Sequence, residues 1–298
     1  MKRLDFLLLS PGIQEILHRT GTEADAAGVR AFIVGGVVRD LLLKAAVTDV
    51  DIVIEGDAPV FARRLAKKLG ASLRVHEKFR TASLLFKDGM SLDIASARRE
   101  SYARPGALPD VVPGSIADDL LRRDFTINAL AAGLNADDRG VVRDDLEGLG
   151  DLEARLVRVM HMESFRDDPT RILRAARYAA RFGFQLDALT EQALNDAVAA
   201  GALTTITPVR YFLELGRILD AQDPAPALDL LVLWDAVRYV PYAATDRQRL
   251  IQCRGGRDER LAALLQELPR AKTEEVLVAF NISRTQRQAV MHKITAAP

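Results

Sequence analysis

Apolar and polar positions follow two different periods along the chain. Up to about residue 95, short apolar runs alternate with amphipathic stretches. AFIV (31–34) is a β-rich run closed by Gly35-Gly36, VVRDLLLK (37–44) opens a helix, and VDIVIE (50–55) is a second strand. DAPVFARRLAKKLG (57–70) has the helical period and stops at Gly70. SLLFKDG and MSLDIASA (83–97) form a predicted hairpin turned by Asp88-Gly89. Pro105, Gly106, Pro109, Pro113 and Gly114 then break regular structure, which predicts a loop between Ala103 and Ser115. From Ile116 helical periodicity dominates, through IADDLLRRDFTINALAAGL (116–134), a connector over 140–159, DPTRILRAARYAARFGF (168–184), TPVRYFLELGRILDA (207–221) and further helices to the end. The pattern predicts an α/β first half, residues 1–140, and a nearly all-α second half, residues 141–298.

A chain of 298 residues accommodates two domains, and 49% hydrophobic with 28% charged residues is the balance of a protein that buries a real core. No apolar stretch approaches the roughly 20 residues that span a bilayer, so a membrane protein is excluded. The single cysteine, Cys253, rules out an intramolecular disulfide framework and suits a reducing compartment, so the cytoplasm is the expected location. The opening MKRLDFLLLSPGIQEIL is interrupted by Asp5 and Pro11 and has no small-residue cleavage site; it is expected to be a mature start leading into a helix. With 41 basic and 41 acidic residues the net charge is +0, which argues against a protein that coats nucleic acid but allows a local basic surface.

Asp49 and Asp51 stand at i and i+2 on a predicted strand, so their carboxylates project from one face. Two carboxylates that close raise each other's pKa unless a cation neutralises them, and oxygen ligands of this kind suit Mg²⁺. Alone, the pair reads equally as two solvent-facing residues of an edge strand. Ahead of it, Gly35-Gly36 between a strand and a helix lets a polyphosphate approach bare backbone, with Arg39 one turn in to pair with phosphate oxygens. In this order within 17 residues, these elements describe a place where a triphosphate meets magnesium. Asp93, in a neighbouring strand pattern, either completes the metal site or is a polar position of a half-exposed strand.

Arg122-Arg123-Asp124, taken alone, is a charged helix start on a solvated face. Asp168-Pro169 is a good N-cap and N1 pair. Arg171, Arg174, Arg177 and Arg181 follow at spacings of 3, 3 and 4, close to one helix face, where like charges repel unless anions satisfy them. Arg210 and Glu214, at i and i+4, have the spacing of a surface ion pair. Trp234 and the four scattered histidines are structural.

The runs GGVVRD…DVDIVI, RRDFTINALA (122–131) and DDPTRILRAARYAARFGF (167–184) resemble, in order and over most of residues 32–217, the bacterial (class II) tRNA nucleotidyltransferase and poly(A) polymerase family of the DNA polymerase β superfamily. The resemblance implies an α+β fold, a polymerase β-like nucleotidyltransferase head followed by an all-α neck and body. It implies that Asp49 and Asp51 are the catalytic Mg²⁺ ligands and that Gly35, Gly36 and Arg39 hold the triphosphate. Arg123 and Asp124, supported by Asn128, would contact the nucleotide and its ribose. Asp168 and Arg171 would read the base edge, so that the protein is its own template, with Arg174 and Arg177 as further nucleotide contacts. Asp167 departs from the family's usual Glu, which puts the base choice in doubt. The helix 207–219 resembles the one that supports the base-reading residues, and the Pro-rich segment around PGALP (105–109) occupies the place of a flexible element. The implied partners are the tRNA 3′ end and CTP or ATP. The implied reaction is CCA addition, or its CC or A part; a poly(A) polymerase and a non-catalytic RNA- or nucleotide-binding relative are the alternatives.

Overall fold

The computed structural model describes residues 2–47, 50–107, 109–253 and 255–296. The chain forms two compact units, one of Met1–Ser101 and Pro109–Met160, the other of Tyr102–Leu108 and His161–Pro298. The first unit therefore runs past the residue-140 boundary read from the sequence.

In the first unit the described residues give β1 (Arg30–Val34), β2 (Val50–Glu55), β3 (Ser72–His76), β4 (Thr81–Leu85), β5 (Ser91–Ser96), β6 (Arg98–Ser101), β7 (Asp110–Pro113), β8 (Ala131–Gly133) and β9 (Val142–Arg143). Seven of them form one mixed sheet in the order β3-β4-β5-β2-β1-β8-β9. Only the β2–β5 pair is parallel; the other neighbours run antiparallel. The helices are α1 (Pro11–Ala27), α2 (Gly36–Leu42), α3 (Ala58–Leu69), α4 (Ile116–Leu121) and α5 (Gly148–Ala154). Ser10 and Asp57 cap the starts of α1 and α3 by accepting the amides of Ile13 and Val60, and Gly28 and Gly70 end these helices at φ near +65°. α1 packs on β1 and α3 on β3–β5, over the face that carries Ile33, Ile52, Ile54, Leu84 and Ile94. On the opposite face Phe32, Val34 and Val53 pack with Ile116 and Leu120 of α4.

Two stretches depart from the sequence expectation. The helical run expected from Ile116 ends at Leu121, and Ala131–Gly133 is a strand against β1, with Phe32 opposite Gly133. The alanine-rich composition of 129–133 favours a helix, but small side chains at 0% exposure beside β1 fit a central strand, and tertiary packing overrides the propensity. The expected loop after Ala103 contains a strand: β7 pairs with β6 as a separate two-stranded ribbon, where Pro113 opposite Arg98 is tolerated because an edge strand can spare an N–H.

The second unit is helical: α6 (Ser164–Asp167), α7 (Thr170–Phe182), α8 (Ala188–Ala199), α9 (Pro208–Leu219), α10 (Ala225–Leu233), α11 (Ala244–Gln252), α12 (Arg257–Leu265), α13 (Arg270–Ala279) and α14 (Arg284–Ala296). α7 packs against α9 and α10, burying Ile172, Leu173, Ala176, Leu215, Ile218 and Leu231. Among the described residues no helix is long and apolar enough to cross a membrane.

Tyr211 of α9 is fully buried; its hydroxyl accepts the Arg238 amide at 2.9 Å, and burial pushes the phenol up to about 12. An unfolded tyrosine ionises near 10.0, so above that pH the unfolded chain releases a proton that the folded chain keeps, and stability falls as pH rises towards 12. The full difference is worth roughly 2–3 kcal/mol. Tyr211→Phe is expected to flatten this alkaline slope in urea melts between about pH 9 and pH 11, while costing about 1–3 kcal/mol at neutral pH through the unpaired Arg238 amide. Tyr242, pushed up by burial and by its hydrogen bond to Asp229, supplies the slope that remains.

Candidate active site

In the first unit the register of the sheet decides which carboxylates meet. Asp51 of β2 lies directly opposite Asp93 of β5, and Asp93 lies opposite Ser83 of β4, whose hydroxyl donates to the Asp93 carboxylate. Both aspartates are exposed. Asp93 thus stands beside Asp51 on the same exposed face of the sheet. Asp49 lies outside the described residues. Val34, Asp51, Ser83, Asp93, Arg122 and Arg123 line a common cleft of about 340 Å³. Among the described residues that line this cleft there is no Cys, Met or His, and two adjacent exposed carboxylates fit a hard divalent cation such as Mg²⁺.

The two arginines come from the end of α4. Asp119, one turn earlier and fully buried, accepts Arg122 Nη2 at 2.7 Å and Arg123 Nη2 at 2.9 Å. The sequence reading gave Arg122 no site role beyond a charged helix start. Its signal was the i, i+3 spacing from an aspartate that the helix turns inward.

Gly35 and Gly36 sit where β1 passes into α2. Gly35 has φ +70°, its amide donates to Leu130 O at 2.9 Å, and an added Cβ would lie 2.5 Å from Arg123 Nη1. Gly35→Ala is therefore expected to strain the turn and displace Arg123, costing about 1–2 kcal/mol of stability, which urea melts of the variant check.

Arg39, expected from the sequence at the triphosphate, lies in a buried polar cluster. Its side chain is 3% exposed; Nε donates to Asp40 at 2.8 Å and Nη1 to Asn128 Oδ1. Asn128 Nδ2 in turn donates to Asp124 Oδ1 at 3.0 Å, and that oxygen also accepts the Phe125 amide at 2.9 Å. Asp40, Arg39, Asn128 and Asp124 thus form a buried chain of polar contacts tying α2 to the segment after α4. The expected adjacency of Asn128 and Asp124 holds, though residues 126–128 are a 3-10 turn rather than α-helix.

In the second unit Asp168 precedes α7, which begins at Thr170, one residue later than the N-cap reading. Asp168 Oδ1 accepts the Thr170 amide at 3.0 Å, its hydroxyl at 2.6 Å and Arg210 Nη2 at 2.9 Å. Arg210 Nη1 also donates to Gly106 O at 2.6 Å, so one guanidinium ties Asp168 to the segment 102–108. Gly106 has φ +69°, and an added Cβ there would meet Thr205 Oγ1 at 2.3 Å. Arg171 is buried and donates to Ser164 Oγ at 2.5 Å. Arg174, Arg177 and Arg217 converge on Glu214, itself 6% exposed. The i, i+4 pair expected between Arg210 and Glu214 is thus replaced by two separate attachments. The repulsion expected along α7 is relieved in part by Glu214 and in part by aromatic faces: Arg177 lies 4.4 Å from the Tyr178 ring centroid and Arg181 4.8 Å from that of Phe182.

Paired strand carboxylates and two anchored arginines around one cleft, with a glycine turn beside Arg123 and a helical unit following in the chain, define a nucleotidyltransferase-type head with an α-helical extension. Comparison with known proteins gives the same class. Residues 31–158 match the poly A polymerase head domain. The A-adding tRNA nucleotidyltransferase of Geobacter sulfurreducens is 42% identical over 213 residues, 72% of this chain and 24% of the relative. That of Halalkalibacterium halodurans is 38% identical over 244 residues, 79% of this chain and 56% of the relative. A solved CCA-adding enzyme in an apo form superposes with TM-score 0.82 at 34% identity, covering 100% of this chain and 76% of that one. The chain belongs to the tRNA nucleotidyltransferase and poly(A) polymerase family. It spans between about a quarter and just over half of the length of these two curated relatives.

Proposed function

We propose that the protein transfers a nucleotidyl group from a nucleoside triphosphate to the 3′-hydroxyl of tRNA, releasing pyrophosphate, and that it adds the terminal A. The observation that carries the reading is the register pairing of Asp51 with Asp93 on a cleft shared with Arg122 and Arg123. Asp49, Asp51 and Asp93 would hold Mg²⁺, which when bound neutralises phosphate charge and favours the ionised hydroxyl. The chain's own groups do the rest. Arg122 and Arg123 face the charge of the triphosphate, and Gly35-Gly36 leave room for it against bare backbone. Asp124, held by Asn128 and backed by Arg39, checks the ribose. In the second unit Asp168 and Arg171 read the base edge, with Arg174 and Arg177 as further contacts. No nucleophilic side chain is needed, because positioning and charge neutralisation suffice for phosphoryl transfer.

The choice of A rests on the two A-adding relatives named above. Transcripts ending before CCA and after CC, offered labelled CTP or ATP, test it. ATP incorporation confined to the CC-ended tRNA is expected. CTP incorporation on the shorter transcript would replace A addition by CC or full CCA addition, and runs of A on unrelated RNA would replace it by poly(A) synthesis.

A further inference from the structure

Arg122 is held in the cleft from two sides. From α4, Asp119 Oδ1 accepts its Nε at 3.0 Å and its Nη2 at 2.7 Å. From β6, Glu100 Oε1 accepts its Nη1 at 3.0 Å. Glu100 is itself fixed by Arg98, whose Nη2 and Nε donate to it at 2.8 and 3.1 Å and whose Nη1 donates to Phe79 O at 3.2 Å. The Glu100 side chain is 6% exposed and that of Asp119 0%. Buried carboxylates are costly unless paired, so these two bind their arginines tightly and in defined geometry. Asp119 is shared between Arg122 and Arg123; held by it alone, the Arg122 plane would turn about one carboxylate oxygen. The second anchor, on a different element, removes that freedom.

We propose that Glu100 is a positioning residue: from β6 it fixes the Arg122 guanidinium against the phosphates of the incoming nucleoside triphosphate. The proposal rests on the nucleotidyltransferase reading above. In that reaction the 3′-hydroxyl oxygen bonds to the α-phosphorus, the α–β bridging P–O bond breaks with its electron pair going to pyrophosphate, and the hydroxyl proton passes to water. Charge therefore grows on the leaving group. A cation fixed before the reaction favours that late charge over the ground state, whereas one that follows the substrate stabilises both alike. Removing the Glu100 charge also leaves the cleft more positive. Loss of Glu100 is thus expected to lower kcat without weakening nucleotide binding, which separates positioning from mere folding support.

Steady-state kinetics on the full chain, with CC-ended tRNA and ATP, test this in wild type, E100Q, R122K and the double variant. Each single change is expected to lower kcat about tenfold, with KM for ATP unchanged or reduced in E100Q, and the double variant to lose little more than either single one. Glu100→Asp, which keeps the charge but withdraws it by one methylene, is run alongside in case E100Q does not fold, and is expected to lose kcat as well. With an active wild type, a folded E100Q or E100D at wild-type kcat, losses that add in the double variant, or a raised KM at unchanged kcat would overturn the role of Glu100. A folded wild type that transfers no nucleotide to any tRNA overturns the nucleotidyltransferase reading instead.

Discussion

Asp51→Asn is expected to reduce nucleotide incorporation by roughly three powers of ten, about 4 kcal/mol of transition-state stabilisation, while leaving the fold intact. The substitution nearly preserves shape, and Asp51 is an exposed position between the buried Val50 and Ile52, so the β2 core face is untouched. It removes one of two carboxylates placed directly opposite each other. Like charges in that position repel, so the urea midpoint is expected to stay level or rise slightly as activity disappears. A loss of activity accompanied by a loss of stability would instead mark Asp51 as a structural residue. Asp93→Asn tests the third carboxylate in the same way and is expected to lower incorporation in the same direction.

Arg210→Ala is expected to lower base discrimination, the ratio of kcat/KM for ATP and CTP, by about 10- to 100-fold, with a smaller effect on incorporation of the correct nucleotide. The reasoning starts from Asp168, whose Oδ1 accepts from Thr170 and from Arg210. A carboxylate that reads a base edge discriminates by direction, and a good bidentate contact is worth roughly 1–3 kcal/mol, the span of that fold-change. Without Arg210, Asp168 keeps its Thr170 contacts but loses the guanidinium that also holds Gly106. Competition between labelled ATP and CTP on CC-ended tRNA measures the ratio directly. An unchanged ratio together with a reduced rate would assign Arg210 to folding of the second unit alone.

Much of this arrangement was legible in the sequence, for reasons that can be traced to particular residues. Short β-rich apolar runs placed β1, β2 and β5, and Gly70 marked a helix end because it occupies left-handed backbone near φ +65°. The alanine-rich stretch at 129–133 misled because its helix propensity is real and only the neighbouring strand overrides it. Charged residues were harder than apolar ones. Spacing says which face a charge occupies but not which distant group meets it. Arg39 has the spacing of a phosphate contact yet lies buried against Asp40 and Asn128, 89 residues away in the case of Asn128. Arg210 has the spacing to pair with Glu214 yet pairs with Asp168. Asp93 became informative only through register, which no local pattern encodes.

The most direct measurement of nucleotidyl transfer to an RNA 3′ end uses ATP labelled at its α-phosphate, Mg²⁺, and two CC-ended tRNAs that differ only in carrying a 3′-hydroxyl or a 3′-deoxy terminus. The expected result is transfer of label to the hydroxyl-ended tRNA with an equal yield of pyrophosphate, and neither product with the deoxy-ended tRNA. Pyrophosphate released equally with both, or ATP consumed with no label in RNA, would contradict it.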